Sequence, residues 1–331
     1  MYKNKEEHIR ASAFKRNNSL EDFLSEINSD LWTTEKSLLA KKENDLPLIF
    51  IIGPLRSGST LMTQWLANLG LAYPTNLMSR FYEAPIIASK IQLLLTDPIY
   101  NYRDEILDFN SNIDFNSENG KTKGALAPNE FWYFWRRFLP FGDIDYLPTA
   151  ELFKKVDVDI LKAELSGIID VFQKPFALKA MILNYNLDFL DRLFDRAIFI
   201  YTKRDPLTNI ESALKARKKQ LGSIDEWYSF KIPEYDMLKN LDPYRQVAGQ
   251  IYCINKKIEE QLECISENKK VIVNYEDFCV NPEKIYHELS TKLSHHGYDS
   301  LIKEYTEQKK FNITRSRCDN KKIIDAYNYF I

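Results

Sequence analysis

Short apolar runs alternate with polar segments along this chain. The clearest run extends from Leu46 to Ile52, interrupted only by Pro47, and is typical of a strand buried on both faces of a parallel sheet. A polar, glycine-bounded segment follows, and apolar residues then recur at helical spacing up to Gly70, where a helix would end. These helical positions are Leu61, Met62, Trp65, Leu66 and Leu69. The pattern predicts a strand, a tight loop and a helix in direct succession.

The same order returns between residues 196 and 215. An apolar run ends at Arg204, Asp205 is suited to cap a helix, and Pro206 is suited to its first position. Further on, one helical stripe predicts another core-facing helix. That stripe consists of Ile251, Ile254, Ile258, Leu262 and Ile265. Alternating strands and helices favour an α/β domain built on a parallel sheet.

The chain divides into three regions by composition. Residues 1–45 are polar with scattered apolar positions and predict a helical extension, while residues 46–331 form the main domain. Within that domain, residues 84–175 are irregular and rich in aromatic residues. We interpret them as an insertion that covers the substrate side of the sheet.

The loop after the first strand carries phosphate-binding chemistry. The segment from Gly53 to Thr60 almost matches the pattern G-x-x-x-x-G-K-[ST], but Ser59 replaces the lysine and Arg56 supplies the cation. Backbone N–H groups of Ser57, Gly58, Ser59 and Thr60, at the start of a helix, would face an anion. The missing lysine argues against a magnesium-bound triphosphate.

A second anion contact is expected beside this loop. Arg204 stands at the carboxyl end of its strand, and Ser212 lies on the second turn of the helix that follows. Helical geometry would let both side chains converge on one anion, with the arginine as a bidentate fork and the serine as a neutral donor.

Composition limits the remaining possibilities. A net charge of −2 argues against a general nucleic-acid binder. The four cysteines lack metal-ligand spacing and only four histidines are present, so no metal site is expected. No apolar run is long enough for a transmembrane segment and the N-terminus is charged, which led us to expect a cytoplasmic protein.

Together, the two strand–loop–helix segments resemble those of sulfotransferases that use 3′-phosphoadenosine 5′-phosphosulfate (PAPS). The loop from Gly53 to Thr60 resembles their 5′-phosphosulfate loop, and Arg204 with Ser212 resembles their 3′-phosphate site. The segment Pro175–Lys179 is similar to the family's lysine-bearing strand, and Tyr275-Glu276-Asp277 to its late acidic segment. The resemblance implies a three-layer α/β/α domain of the P-loop type, PAPS as co-substrate, and no metal.

The resemblance also implies a general base. No histidine lies between His8 and His287, so the histidine mode of the cytosolic enzymes is excluded, and a glutamate is expected as in carbohydrate and protein sulfotransferases. Glu83 stands at the appropriate distance beyond the loop. Glu130 is its rival, because desolvation by surrounding aromatic residues would raise its pKa. The two could also share the work.

Four further residues complete the expected site. Lys179 at its strand end and Trp132 in the aromatic run are candidates for binding an acceptor, which the resemblance implies is a carbohydrate or small molecule. Arg315 and Arg317 fall where the family often closes a loop over the nucleotide. Two alternatives stay open: a P-loop nucleotide kinase, and a catalytically silent PAPS-binding protein.

Overall fold

A computed structural model describes residues 10–15, 17–40, 45–100, 105, 113–115, 117, 121–301, 304–313 and 318–331. In these residues, four parallel strands form one sheet in the order β2-β1-β3-β4. The strands are β1 (Leu48–Ile52), β2 (Phe176–Lys179), β3 (Ala197–Lys203) and β4 (Lys270–Asn274). The predicted central parallel sheet is therefore confirmed.

Helices occupy most of the remaining described chain. Before β2 they are α1 (Asn18–Lys36), α2 (Ser59–Asn68), α3 (Pro85–Thr96), α4 (Trp132–Phe138), α5 (Thr149–Lys155) and α6 (Val158–Phe172). After β2 they are α7 (Leu187–Leu193), α8 (Pro206–Leu221), α9 (Tyr235–Leu238), α10 (Pro243–Glu263), α11 (Tyr275–Val280), α12 (Pro282–His295) and α13 (Lys321–Asn328). Within the described ranges, none of these helices combines the length and apolarity needed to cross a bilayer.

The central strand β1 explains how the layers are held together. All five of its residues are fully buried. Because side chains alternate along a strand, Phe50 and its even-numbered neighbours enter the larger core, whereas Ile49 and Ile51 enter a second core on the opposite face. The sheet thus lies between two helical layers, as the uninterrupted apolar run predicted.

Helix α8 begins where the sequence predicted. The carboxylate of Asp205 accepts a hydrogen bond of 2.8 Å from the N–H of Thr208, and Pro206 occupies the first turn. The predicted core stripe on α10 is also confirmed, since Ile251, Ile254, Ile258 and Leu262 are all buried. These two helices pack together beside β3 and set the position of the segment that connects them.

A buried charge cluster joins α1 to the insertion. The carboxylate of Glu35 accepts hydrogen bonds from the N–H groups of Ile86 and Ile87, at the start of α3. Arg137 of α4 pairs with Glu164 of α6, and the Glu164 side chain has no solvent exposure. Burial raises the pKa of Glu164 to about 8, although Arg137 acts in the opposite direction.

Candidate functional site

The loop between β1 and α2 depends on its two glycines. Gly53 and Gly58 both have positive φ angles, 142° and 100°. A Cβ atom on Gly53 would lie 2.5 Å from the carbonyl oxygen of Thr202, and one on Gly58 would lie 2.3 Å from the ring of Tyr275. Side chains at either position would displace the loop from its supports. Arg56, between them, also adopts a left-handed conformation with φ of 64°.

Side chains from neighbouring elements fix this loop. The amide of Asn184 donates to the carbonyl of Gly53 at 2.8 Å and accepts from the N–H of Gly53 at 3.1 Å. The hydroxyls of Ser57 and Thr202 are 2.7 Å apart, and Asn209 donates to the carbonyl of Leu55 at 2.8 Å. The Ser57 side chain therefore serves the loop's own structure, and the N–H of Ser57 donates to the carbonyl of Pro54 at 3.3 Å.

Three of the predicted anion-binding residues lie together beside the loop. Nε of Arg56 donates to the hydroxyl of Ser212 at 3.3 Å, and Nη1 of Arg204 donates to the carbonyl of Arg56 at 3.2 Å. The guanidinium of Arg204 also stacks on the ring of Tyr275, 4.8 Å from its centroid. Side chains far apart in the sequence thus form one cationic group at the carboxyl end of β1 and β3.

The two guanidinium groups of Arg56 and Arg204 are only partly compensated by nearby negative charge. Burial lowers the pKa of Arg56, and the nearby Arg204 contributes to that shift while Tyr228 and Glu130 oppose it. Nε of Arg204 is buried without a hydrogen-bond partner, and a carboxylate oxygen of Glu276 is 4.0 Å from it. A buried donor without an acceptor is costly, so a bound anion would stabilise this arrangement.

On the opposite side of the loop, Lys179 links the start of α2 to the insertion. Its ammonium group donates to Thr60 at 2.8 Å and pairs with Glu130 at 2.9 Å. The second carboxylate oxygen of Glu130 accepts a 2.5 Å hydrogen bond from the indole of Trp132. The Lys179 side chain is only 4% exposed, whereas Glu130 is 35% exposed. A ligand can therefore reach Glu130 from solvent, beside a narrow pocket that Trp132 and Met181 also line.

The expected rise in the pKa of Glu130 is not what this geometry produces. Burial acts to raise this pKa, but the Lys179 ammonium, the hydrogen bonds from Lys179 and Trp132, and Arg56 outweigh burial. They hold the pKa below its usual value. The aromatic neighbours in the sequence indicated desolvation correctly, but the compensating lysine comes from β2 and could not be recognised from them.

Glu83 makes its contacts elsewhere. Its N–H donates to the side chain of Asn28 in α1 at 2.9 Å, and Arg137 binds the carbonyl of the preceding Tyr82 at 2.6 Å. Its carboxylate contributes to the electrostatics of Glu164, in the charge cluster at α1. Among the described contacts, Glu130 is linked to the loop through Lys179, whereas the contacts of Glu83 lie near α1. A role of Glu83 at the loop therefore stays a prediction.

The remaining predicted residues are distributed as follows. The hydroxyl of Ser59 donates to the sulfur of Met181 at 3.3 Å, so it faces the narrow pocket. In the aromatic run Phe131–Trp135, Trp132 is half-buried while Phe131, Phe134 and Trp135 pack in the core. Arg315 and Arg317 lie outside the described residues. Among those described, no cluster of histidine, cysteine, aspartate and glutamate is placed to hold a metal ion, and all four cysteines are free thiols.

Sequence reasoning missed Tyr228, and it named Glu276 in the late acidic segment without foreseeing its contact with α8. Tyr228 lies in the irregular segment between α8 and α9, near enough to Arg56 and Glu130 for both charges to affect its pKa. Glu276 accepts hydrogen bonds from the N–H of Asp205 at 3.2 and 3.4 Å, which ties the start of α8 to α11. Neither residue stands at a recognisable spacing from the loop, although Glu276 belongs to the acidic segment after β4.

Comparisons with known proteins bear on this site. A family model described as the sulfotransferase family matches residues 47–295. Solved structures with a similar fold include sulfotransferase STF9 from Mycobacterium avium, with 14% identity over 86% of this chain and 74% of that one, at a TM-score of 0.45. Sulfotransferase STF1 from Mycobacterium tuberculosis H37Rv is 13% identical over 82% of this chain and 76% of that one, at 0.47. Among curated proteins, nothing matches.

Proposed function

Because the chain belongs to the sulfotransferase family, we propose that it transfers a sulfuryl group from PAPS to a hydroxyl or amine of a carbohydrate or small-molecule acceptor. The family covers more than half of the chain, including the loop, β2, β3 and β4. The proposal goes beyond the family in three respects, namely the sulfuryl donor, the acceptor and the roles of individual residues.

One observation carries the proposal: two half-buried arginines and a serine converge beside a loop that lacks the triphosphatase lysine. Arg204 and Ser212 would bind the 3′-phosphate, and Arg56 with the loop N–H groups would bind the 5′-phosphosulfate. The unpartnered Nε of Arg204 would gain an acceptor. A nucleotide with phosphate on both the 3′ and 5′ positions has the charges that this arrangement requires.

Transfer would occur by in-line displacement, mainly through positioning and charge stabilisation. The acceptor oxygen forms a bond to sulfur while the bond from sulfur to the bridging oxygen breaks, and adenosine 3′,5′-bisphosphate leaves. Arg56 and Lys179 would stabilise the negative charge that grows on the bridging oxygen. Lys179 already contacts Thr60 at the loop's end, which puts its ammonium beside the expected phosphosulfate.

We assign the general base to Glu130. Its carboxylate borders both Lys179 and the pocket, and its lowered pKa keeps it ionised at neutral pH. The acceptor's proton would move to a carboxylate oxygen of Glu130 as the new bond forms. Trp132, which also binds Glu130 and lies 5.4 Å from the ring of Phe230, offers an aromatic surface for the acceptor.

Calorimetric titration tests the donor assignment. Adenosine 3′,5′-bisphosphate should bind at least about thirtyfold more tightly than ADP, since charged hydrogen bonds to the 3′-phosphate contribute about 2 kcal/mol. Binding of the bisphosphate should not require Mg²⁺. Tight, metal-dependent binding of ATP without a 3′-phosphate preference would instead favour a nucleotide kinase.

A silent PAPS-binding protein is distinguished by turnover. Incubation with PAPS should slowly yield the bisphosphate and free sulfate with water as acceptor. With a suitable glycan or phenol, it should yield the bisphosphate and a sulfate ester of that acceptor more rapidly. Binding without either product would favour the silent alternative.

A further inference from the structure

Tyr228 approaches the loop from a segment that has no recognisable motif. Its phenol is near enough to Arg56 for each residue to influence the other's pKa. The charges of Glu130 and Arg10 also affect the pKa of the phenol. Its backbone carbonyl accepts a hydrogen bond from Gln250 of α10 at 3.2 Å. The segment is thus attached to α10, and two residues further on the ring of Phe230 lies 5.4 Å from that of Trp132, whose indole donates to Glu130.

One face of α8 positions both Arg56 and Tyr228. Ser212, Ala216 and Gln220 recur at every fourth residue and therefore lie along the same face of the helix. At one end of this face, Ser212 accepts from Arg56; at the other, Nε2 of Gln220 donates to the hydroxyl of Tyr228 at 2.9 Å. Ala216, between them, is fully buried.

The hydrogen bond from Gln220 determines where the phenol proton can go. Because the Tyr228 oxygen accepts from Gln220, its own hydrogen must point to another acceptor, and no acceptor for it is recorded among the described residues. Arg56 and Arg10 carry only donors. Glu130 already accepts from Lys179 and Trp132. Burial raises the pKa of Tyr228, so the phenol keeps its proton at neutral pH.

We infer that Tyr228 is a further catalytic residue, which donates its hydrogen bond to a non-bridging oxygen of the transferring sulfuryl group. This inference rests on the proposed function. It assigns the sulfuryl oxygens a neutral donor from the α8–α9 segment, in addition to the cations of the loop and of β2. The bisphosphate product lacks the sulfuryl group, so Tyr228 would distinguish PAPS from its product.

The variant Tyr228→Phe tests this role, because it keeps the ring and removes only the hydroxyl. PAPS should bind about tenfold more weakly to the variant, and its hydrolysis with water as acceptor should slow by about tenfold or more. Affinity for adenosine 3′,5′-bisphosphate should change less than about twofold. Tyr73→Phe is the matched control: Tyr73 is another phenol with a pKa raised by burial, and it donates to the carbonyl of Leu126 away from the loop.

The outcomes separate this inference from the proposed function. If the wild-type protein binds the bisphosphate and hydrolyses PAPS, but Tyr228→Phe matches Tyr73→Phe in both assays, Tyr228 does not contact the sulfuryl group. If Tyr228→Phe weakens the binding of PAPS and of the bisphosphate equally, the hydroxyl of Tyr228 supports the loop instead. If the wild-type protein binds neither nucleotide, the proposed function itself fails. A second variant, Gln220→Leu, should reproduce part of the PAPS-specific loss because it removes the group that orients the phenol.

Discussion

The double contact of Arg204 leads to a quantitative prediction about nucleotide binding. Its guanidinium supports the loop through the carbonyl of Arg56 at 3.2 Å, and its buried Nε is available for a ligand. Arg204→Ala therefore removes both a loop contact and the proposed 3′-phosphate contact. The ligand must be chosen so that the two losses can be separated.

Two nucleotides provide that separation. AMP carries only the 5′-phosphate and reports on the loop, whereas adenosine 3′,5′-bisphosphate reports on both phosphates. A hydrogen bond between charged groups contributes about 2 kcal/mol. Arg204→Ala should therefore weaken binding of the bisphosphate about thirtyfold more than binding of AMP. Ser212→Ala removes a neutral donor worth about 1 kcal/mol to the 3′-phosphate and should weaken bisphosphate binding about fivefold more than AMP binding. The loss of its contact with Arg56 affects both nucleotides alike.

Isothermal titration calorimetry of both nucleotides with the wild-type protein and the two variants measures these ratios. Circular dichroism and thermal unfolding establish that each variant is folded. Equal losses for the bisphosphate and AMP in Arg204→Ala would refute the assignment, since the arginine would then act only through the loop. Lys215→Ala, on the same helix with an exposed side chain, is a suitable control for the general loss of positive charge.

Four further predictions follow from individual groups. Glu130→Gln should lower kcat by about a hundredfold or more with unchanged bisphosphate affinity, while Glu83→Gln should have a much smaller effect; equal losses would return Glu83 to consideration. Because the pKa of Glu130 is held below its ordinary value, kcat of the wild-type enzyme should not fall as pH is lowered from about 7 to about 5. A marked fall would place the base elsewhere. Gly58→Ala should abolish bisphosphate binding, since the added Cβ meets the ring of Tyr275; retained affinity would mean that the loop can move aside. Burial raises the pKa of Glu164 to about 8, so the folded state keeps a proton that the unfolded chain loses near 4.5, and the free energy of unfolding falls as pH rises between these values. Glu164→Gln should flatten that fall in urea titrations, and parallel pH profiles would contradict it.

Local patterns were sufficient to predict the parts of this fold that depend on local physics. The apolar run at β1, the cap at Asp205 and the stripe on α10 each follow from burial or backbone geometry within a few residues. That the residues proposed to bind an anion lie close together was also predictable. Arg56 and Arg204 each follow a strand of the same parallel sheet, and such strand ends meet at one edge.

The acceptor side could not be predicted in the same way. The pair between Lys179 and Glu130 joins β2 to the insertion, and its partners are brought together only by tertiary packing. The sequence therefore indicated a desolvated Glu130 without the ammonium group that reverses the direction of its pKa shift. Tyr228 was missed for a related reason, because its orientation depends on a hydrogen bond from Gln220 and not on any local pattern.

The bonds between Asn184 and Gly53 have a meaning beyond holding the loop. The ladder between β1 and β2 continues past the end of β2 through the bond from the N–H of Ala180 to the carbonyl of Ile51, and the side-chain amide of Asn184 then pairs with both backbone groups of Gly53. A primary amide presents the same donor and acceptor as a peptide group. Asn184 thus imitates one more residue of a neighbouring strand, at a point where the real chain has already turned away. Aspartate has the same shape but no donor, and glutamine is one carbon too long, so this imitation depends on asparagine.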